Sequence, residues 1–245
     1  MPRYKRVLIK LSGAAVAGKD HFGFDAQAVN GIVRQVLDAR NLGMEVCVVI
    51  GGGNIFRGTF STEWGIERAE ADHIGMLGTV INSLMLRAAL KAHSEHEVRV
   101  MTAIPMDAIA ERYIRLRADQ HLKKGYIVIF AAGIGQPYVT TDYPAVQRAL
   151  EVGCDAILVA KDGVDGVFSA DPKKDPSAKR YISVSYQDFL TKGLNVMDQS
   201  ALILARDHKI PLHIFNINTA GSVAEICRGK NCGTIIAPDV ATVTE

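Results

Sequence analysis

Charge of one sign is what the sequence most plainly lacks. Its 28 lysines and arginines stand against 26 aspartates and glutamates, a net charge of +2 over 245 residues. Binding nucleic acid through its phosphates needs a basic excess, so no nucleic-acid partner is implied. Long hydrophobic runs are missing too, the longest being "YIVIFAAGIG" at 126–135, far too short to span a bilayer. The N-terminal "MPRYKRVLIKLSG" has basic residues but no apolar core segment and no small-residue cleavage site. It reads as a first strand, not a signal peptide. The four cysteines, Cys47, Cys154, Cys227 and Cys232, make no C-x-x-C pair and sit at no zinc-like spacing from a histidine. They are expected as buried, reduced thiols of a cytoplasmic protein.

Several catalytic signatures are absent as well. There is no G-x-x-x-x-G-K-[ST] phosphate loop, and "GIGQPY" fails the G-x-G-x-x-G dinucleotide pattern. "DGVDG" with "ADP" at 162–172 lacks the spacing of a calcium loop. No serine stands in a G-x-S-x-G elbow, so hydrolase chemistry has no support.

What the sequence does have is alternation. Strand-like runs at 6–12, 45–50, 98–104, 126–132, 156–161 and 210–217 are apolar almost throughout, and helical patterns separate them. Over 25–43, Val29, Ile32, Val33, Val36 and Leu37 repeat at helical spacing, with Gly43 at the expected stop. Residues 73–93 predict a second, strongly apolar helix, and 198–209 a third. Strands apolar on both faces imply a mainly parallel sheet covered on each side. The expectation is α/β: one domain over 1–245, a three-layer αβα sandwich, with 162–185 a protruding hairpin or loop. Ligands of such sheets sit beyond the carboxyl ends of the strands.

Three glycine turns fall at those ends: "KLSG" at 10–13, "GGGN" at 51–54 and "AAGIGQPYVTTD" at 131–142. Backbone amides freed of side chains can converge on an anion, so three such turns favour phosphate binding. Lys10 lies among apolar neighbours, where an anion would have to pair it unless it reaches water at the strand end. Arg57 could fork onto phosphate oxygens or simply face solvent. Asp72, Asp142 and Asp198 all stand where helix N-caps belong, although an aspartate there can also hold a metal or a ribose hydroxyl. Convergent amides, a lysine, an arginine and aspartates suit phosphoryl transfer, which needs positioning and charge neutralisation above all.

"KRVLIKLSG", "GMEVCVVIGGGNIFRG", "ADHIGMLGTVIN", "PYVTTD", "VDGVFSADPKKDP" and "VMDQSALILARDHKIPLHIFN" occur in this order along the chain. In these motifs the sequence resembles the bacterial uridylate (UMP) kinase family of the amino acid kinase superfamily over nearly its whole length. The resemblance implies UDP and ADP made from UMP and ATP with Mg²⁺, in the cytoplasm, by a homohexamer inhibited by UTP and activated by GTP. It implies that Lys10, Leu11, Ser12 and Gly13 meet the ATP phosphates, with Gly53 and Arg57 on the phosphate chain at the transfer point. Asp162, Phe168 and Asp171 match positions that contact the adenine and ribose of ATP. Gly52 would offer its amide to the UMP phosphate and Asp72 would hold the UMP ribose. The acceptor loop would run through Ile134, Gly135 and Gln136, then Pro137, Tyr138 and Val139, to Thr140 and Thr141 beside the uracil.

Lys10, Arg57, Asp142 and Asp198 are the implied catalytic set, with no protein metal ligand assigned because phosphates hold most of the Mg²⁺. The family's GTP-response segment would fall at 17–23. Ala14 stands where the family has glutamate, and Ile134, Gln136, Tyr138 and Val139 depart from its acceptor loop. Two other readings are a superfamily kinase with a carboxylate acceptor, against which "ADHIGML" and "PYVTTD" argue, and a catalytically silent nucleotide-binding oligomer on the same fold.

Overall fold

Six consecutive buried residues, Arg6–Leu11, form β1, the strand from which the sheet extends both ways. The computed structural model describes residues 2–172 and 174–245. The other strands are β2 (Glu45–Ile50), β3 (Val98–Thr102), β4 (Glu111–Arg112), β5 (Ile127–Ala131) and β6 (Ala156–Lys161). They continue with β7 (Tyr181–Ser185), β8 (Leu212–Asn216), β9 (Gly233–Ala237) and β10 (Val243–Thr244). One sheet joins them in the order β10-β7-β9-β8-β6-β1-β2-β5-β3-β4. Pairing is parallel except between β8 and β9 and between β10 and β7. The mainly parallel expectation therefore holds, with an antiparallel step on the β8 side.

The helices are α1 (Ala26–Asn41), α2 (Thr59–Glu63), α3 (Arg68–His93), α4 (Arg115–Lys123), α5 (Asp142–Glu151), α6 (Tyr186–Thr191), α7 (Gln199–Asp207) and α8 (Ser222–Cys227). Alternate residues of β1 divide between two cores. Val7, Ile9 and Leu11 join Val33 and Val36 of α1, Leu86 and Leu90 of α3 and Val223 of α8. Leu8 joins Leu122 of α4, Val146 of α5, Phe189 of α6 and Leu202 of α7. Each core is continuous because successive strand side chains point to opposite faces. This is the three-layer sandwich expected.

Three local expectations need correction. The second helix begins at Arg68, not 73, so Asp72 is one turn inside α3 rather than at its N-cap; Glu67 occupies that position. The hairpin or loop expected over 162–185 ends earlier: Phe168 bridges antiparallel to Arg180, and Tyr181–Ser185 then joins the sheet as β7. By length and composition alone the 26-residue α3 is apolar enough to cross a bilayer, although polar residues interrupt its apolar run. Its Met76, Val80, Leu86 and Leu90 are instead spent on the core. Elsewhere the local chemistry is as read: Asp25 caps α1 by accepting the Ala28 N–H at 2.7 Å, and Gly43 follows it with φ 85°.

Candidate active site

The floor of the site is a buried ion pair. Lys10, 7% exposed, places Nζ 2.5 Å from Asp142 Oδ1. The anion that a lysine in this apolar strand requires is thus a carboxylate of the chain itself. Asp142 does not stand at the expected N-cap, which Thr141 occupies; it is the first residue of α5, and its Oδ2 accepts the Asp198 N–H at 3.0 Å. Asp198 stands at the N-cap position of α7, without a capping bond, and its carboxylate accepts the Thr140 hydroxyl. Both aspartates are therefore turned toward the site, not onto their own helices. Burial pushes the Asp142 carboxyl up, but the Lys10 charge and hydrogen bond, the Asp198 N–H and the Lys161 charge outweigh it. Its pKa lies below the ordinary carboxylate value, so the carboxylate is charged at neutral pH.

Two glycine turns meet beside this floor. A methyl group on Gly13 would fall 2.7 Å from the Gly53 N and 2.6 Å from Asn54 Oδ1, so the turns after β1 and β2 are in backbone contact. Asn54 and Asn82 are both buried and exchange reciprocal amide hydrogen bonds of 3.1 and 2.6 Å. Asn82 also donates to the Gly51 carbonyl and Asn54 to that of Gly23, which fixes the turn to α3 and to the segment before α1. Gly52 packs on α3, and an added Cβ would lie 2.5 Å from the Gly75 carbonyl oxygen. Gly53 is exposed, with nothing within 4 Å of an added Cβ.

Beyond the glycines a cleft of about 180 Å³ opens, lined among others by Gly52, Gly53, Asp72, Gln136, Thr140 and Thr141. Its outer wall is the loop after β5, held in an uncommon backbone: Ala132 has φ 60°, Gly133 55°, Gly135 77° and Tyr138 66°. For the two residues with a Cβ, Ala132 and Tyr138, such conformations persist only where the surroundings enforce them. Here the Thr79 hydroxyl accepts the Ala132 N–H at 2.8 Å, and Asp72 Oδ2 accepts the Tyr138 N–H at 2.7 Å. Asp72 is itself held by Arg68, whose Nε lies 2.9 Å from Oδ1.

The expected residues are gathered unevenly. Ile134, Val139, Thr140 and Thr141 line the cleft with Gly52, Gly53, Asp72 and Gln136, whereas Gly135, Pro137 and Tyr138 do not, Tyr138 being 67% exposed. Arg57 is exposed, outside the cleft lining, and donates to the His21 carbonyl at 2.8 Å. Asp162 accepts from Asn218 Nδ2 at 2.8 Å and borders a second recess of about 370 Å³ with Gly18 and Lys19. Phe168 and Asp171 line neither cavity; the Asp171 carbonyl accepts the Lys174 and Asp175 N–H groups. Thr79, Asn82 and Lys161 belong to the site and were not foreseen. Polar Thr79 and Asn82 within the mostly apolar stretch 74–86 of α3 were the available signal.

Known proteins resemble the chain closely. The model of the amino acid kinase family matches residues 5–216. A uridylate kinase of Frankia alni is 58% identical over 236 residues, 96% of this chain and 92% of the relative. One of Frankia casuarinae is 57% identical over 237 residues, 97% and 92% of the two chains. Among solved structures, the UMP kinase from Bacillus anthracis superposes with a TM-score of 0.97 at 56% identity, covering 100% of both chains. That from Ureaplasma parvum gives 0.90 at 36% identity over 96% of this chain and 99% of its own.

Proposed function

The chain belongs to the amino acid kinase family, and from that membership we propose a nucleoside monophosphate kinase that transfers the γ-phosphoryl group of ATP to UMP, releasing UDP and ADP. The observation that carries this reading is the buried Lys10–Asp142 pair, set beside two abutting glycine turns and next to the cleft that Asp72, Thr140 and Thr141 line. UMP occupies that cleft, with its phosphate toward Gly52 and Gly53, Asp72 on the ribose and the 134–141 loop around the base. ATP approaches from the Asp162 side, with Lys10, Ser12 and Gly13 on its phosphates.

The transfer needs no general base, because the acceptor phosphate is already ionised at neutral pH. Lys10 supplies positive charge to the transferring group, and Asp142, held by the Asp198 amide, keeps its ammonium aimed there. Arg57 would have to leave the His21 carbonyl to take part. Among the described residues no three His, Cys, Asp or Glu side chains gather as a metal cage. The oxygen donors nearest the floor, Asp142 and Asp198, suit a hard cation such as Mg²⁺. Bound with ATP, it would neutralise phosphate charge while taking most of its ligands from phosphate oxygens and water.

The single domain over 1–245, the cytoplasmic location, the homohexamer, inhibition by UTP and activation by GTP extend this proposal. The deciding experiment measures ADP release from Mg-ATP with UMP, dUMP, CMP, AMP or acetylglutamate as acceptor. Strong release with UMP alone is expected. Release with acetylglutamate, or with no acceptor in the set, would overturn the reading.

A further inference from the structure

β6 brings a second lysine onto the Lys10 side of the sheet. Lys10 pairs with Val159 across β1 and β6, so Lys161 lies two residues further toward the carboxyl ends, on the same face. Its ammonium donates to the Val196 carbonyl, and among the described residues no carboxylate lies within 4.0 Å of it. The carboxylates that feel its charge are Asp142 and Asp198. Asp142 is committed to Lys10 and to the Asp198 amide, and Asp198 to the Thr140 hydroxyl. Lys161 is thus a partly buried cation whose one hydrogen-bond partner is a neutral carbonyl. Burial, and then the Lys10 charge, lower its pKa. A cation so placed is costly until an anion reaches it.

The position says which anion. Asp162, the next residue, borders the second recess, while Lys10 marks the floor beside the acceptor cleft. Lys161 stands between them, where a phosphate chain spanning from a base near Asp162 to the transfer point would pass. We infer that Lys161 binds the phosphate chain of the donor nucleotide, on the stretch that remains in ADP after transfer. This rests on the kinase reading for the identity of the donor. The rival role is positioning: by gripping the Val196 carbonyl, Lys161 could merely place Asp198, and through it Thr140 in the wall of the acceptor cleft.

Calorimetric titrations of wild type, Lys161→Met and Lys161→Arg with Mg-ADP and separately with UMP tell the two apart, with thermal unfolding of each. Loss of a charge-assisted contact corresponds to about a ten- to hundredfold loss of affinity. The expected result is that loss for ADP in Lys161→Met, with UMP affinity within about twofold, unfolding little changed, and most ADP affinity restored in Lys161→Arg. Unchanged ADP affinity would overturn the inference. So would parallel losses for ADP and UMP, the mark of a displaced Asp198. ADP affinity lost in Lys161→Met beside a wild type that releases no ADP with UMP would support Lys161 as a ligand and refute the kinase reading instead.

Discussion

At the amino ends of the strands, Arg6 donates to Glu45 at 2.6 Å and to Asp119 at 2.9 Å and also reaches the Val152 carbonyl. Asp155 accepts the Lys5 and Arg6 N–H groups there, and Tyr4 meets His213 Nε2 at 2.8 Å. Four residues along the same β1, Lys10 is equally buried but shares a single carboxylate with a backbone amide, and Lys161 nearby has none. One end of the sheet saturates its charges with one another; the other holds positive charge ready for something that arrives. Residue type and burial do not separate these ends. What separates them is how many partners each charge already has. Damage at the amino end should therefore be read in stability, and damage at the carboxyl end in turnover.

The largest break comes from Lys10→Ala. Removing a charge-stabilising donor costs on the order of 10²–10³ in turnover. The chain should still fold, because Asp142 keeps the Asp198 N–H and the nearby Lys161 charge. Circular dichroism and ADP release on one sample check both halves, and near-normal turnover would remove Lys10 from the reaction.

Acid should act on the opposite end. Burial, helped by the Arg3 charge, lowers the His213 pKa to about 4 from the ordinary 6.5. Between these values the unfolded chain binds a proton that the folded chain refuses. The contribution is complete above pH 6.5 and shrinks as pH falls toward about 4, by about 3 kcal/mol in all. Asp142 stays charged over most of this range, because its pKa is itself lowered. Urea midpoints should therefore fall with pH, whereas turnover per folded molecule should follow the acceptor phosphate, whose second pKa lies at about 6. His213→Gln, which can still accept from Tyr4, should flatten the stability slope; an unaltered slope would take His213 out of the account.

Arg6→Met should cost about 2–3 kcal/mol by leaving Glu45 and Asp119 with only the exposed Lys5 and Lys123 as cationic partners. That is below the loss for a fully enclosed pair, because both carboxylates keep some water. Turnover should stay within about twofold. A large activity loss without destabilisation would mean that the amino end communicates with the site.

Much of this contrast was legible in the chain. Continuous apolar runs closed by glycine or aspartate place β2 at 45–50 and β6 at 156–161 to the residue. β7 and β9 escaped because "YISVS" follows a basic, turn-rich segment and "GTIIA" is short; a pairing partner, not a pattern, makes them strands. Lys10 stood out as a charge in an apolar run. Asp198 was ambiguous for a physical reason: a cap and a site ligand occupy the same place in sequence, and only side-chain direction separates them; Asp142 lay one residue inside α5, past the Thr141 N-cap. Asp72 was misread because the polar opening turn of α3 hid the true helix start. Lys161 carries no local mark at all, since its meaning lies in carboxylates that are committed elsewhere.

The smallest effect divides the carboxyl end itself. Gly52 and Gly53 are neighbours, and neither has a left-handed backbone, so conformation alone requires glycine at neither. An alanine Cβ at 52 would sit 2.5 Å from the Gly75 carbonyl oxygen and 2.9 Å from the Thr79 N, both main-chain atoms of α3 that cannot swing aside. Gly52→Ala should therefore cost about 1–3 kcal/mol. It should also weaken UMP binding, since Gly75 and Thr79 line the cleft. Gly53→Ala meets nothing within 4 Å, so its stability should stay within about 0.5 kcal/mol. If donor and acceptor phosphates come together over Gly53, that added methyl must still obstruct them, and turnover falls with no change in unfolding midpoint. A Gly53→Ala enzyme of full activity would move the transfer point away from the exposed glycine, leaving the triple glycine to serve packing against α3 alone.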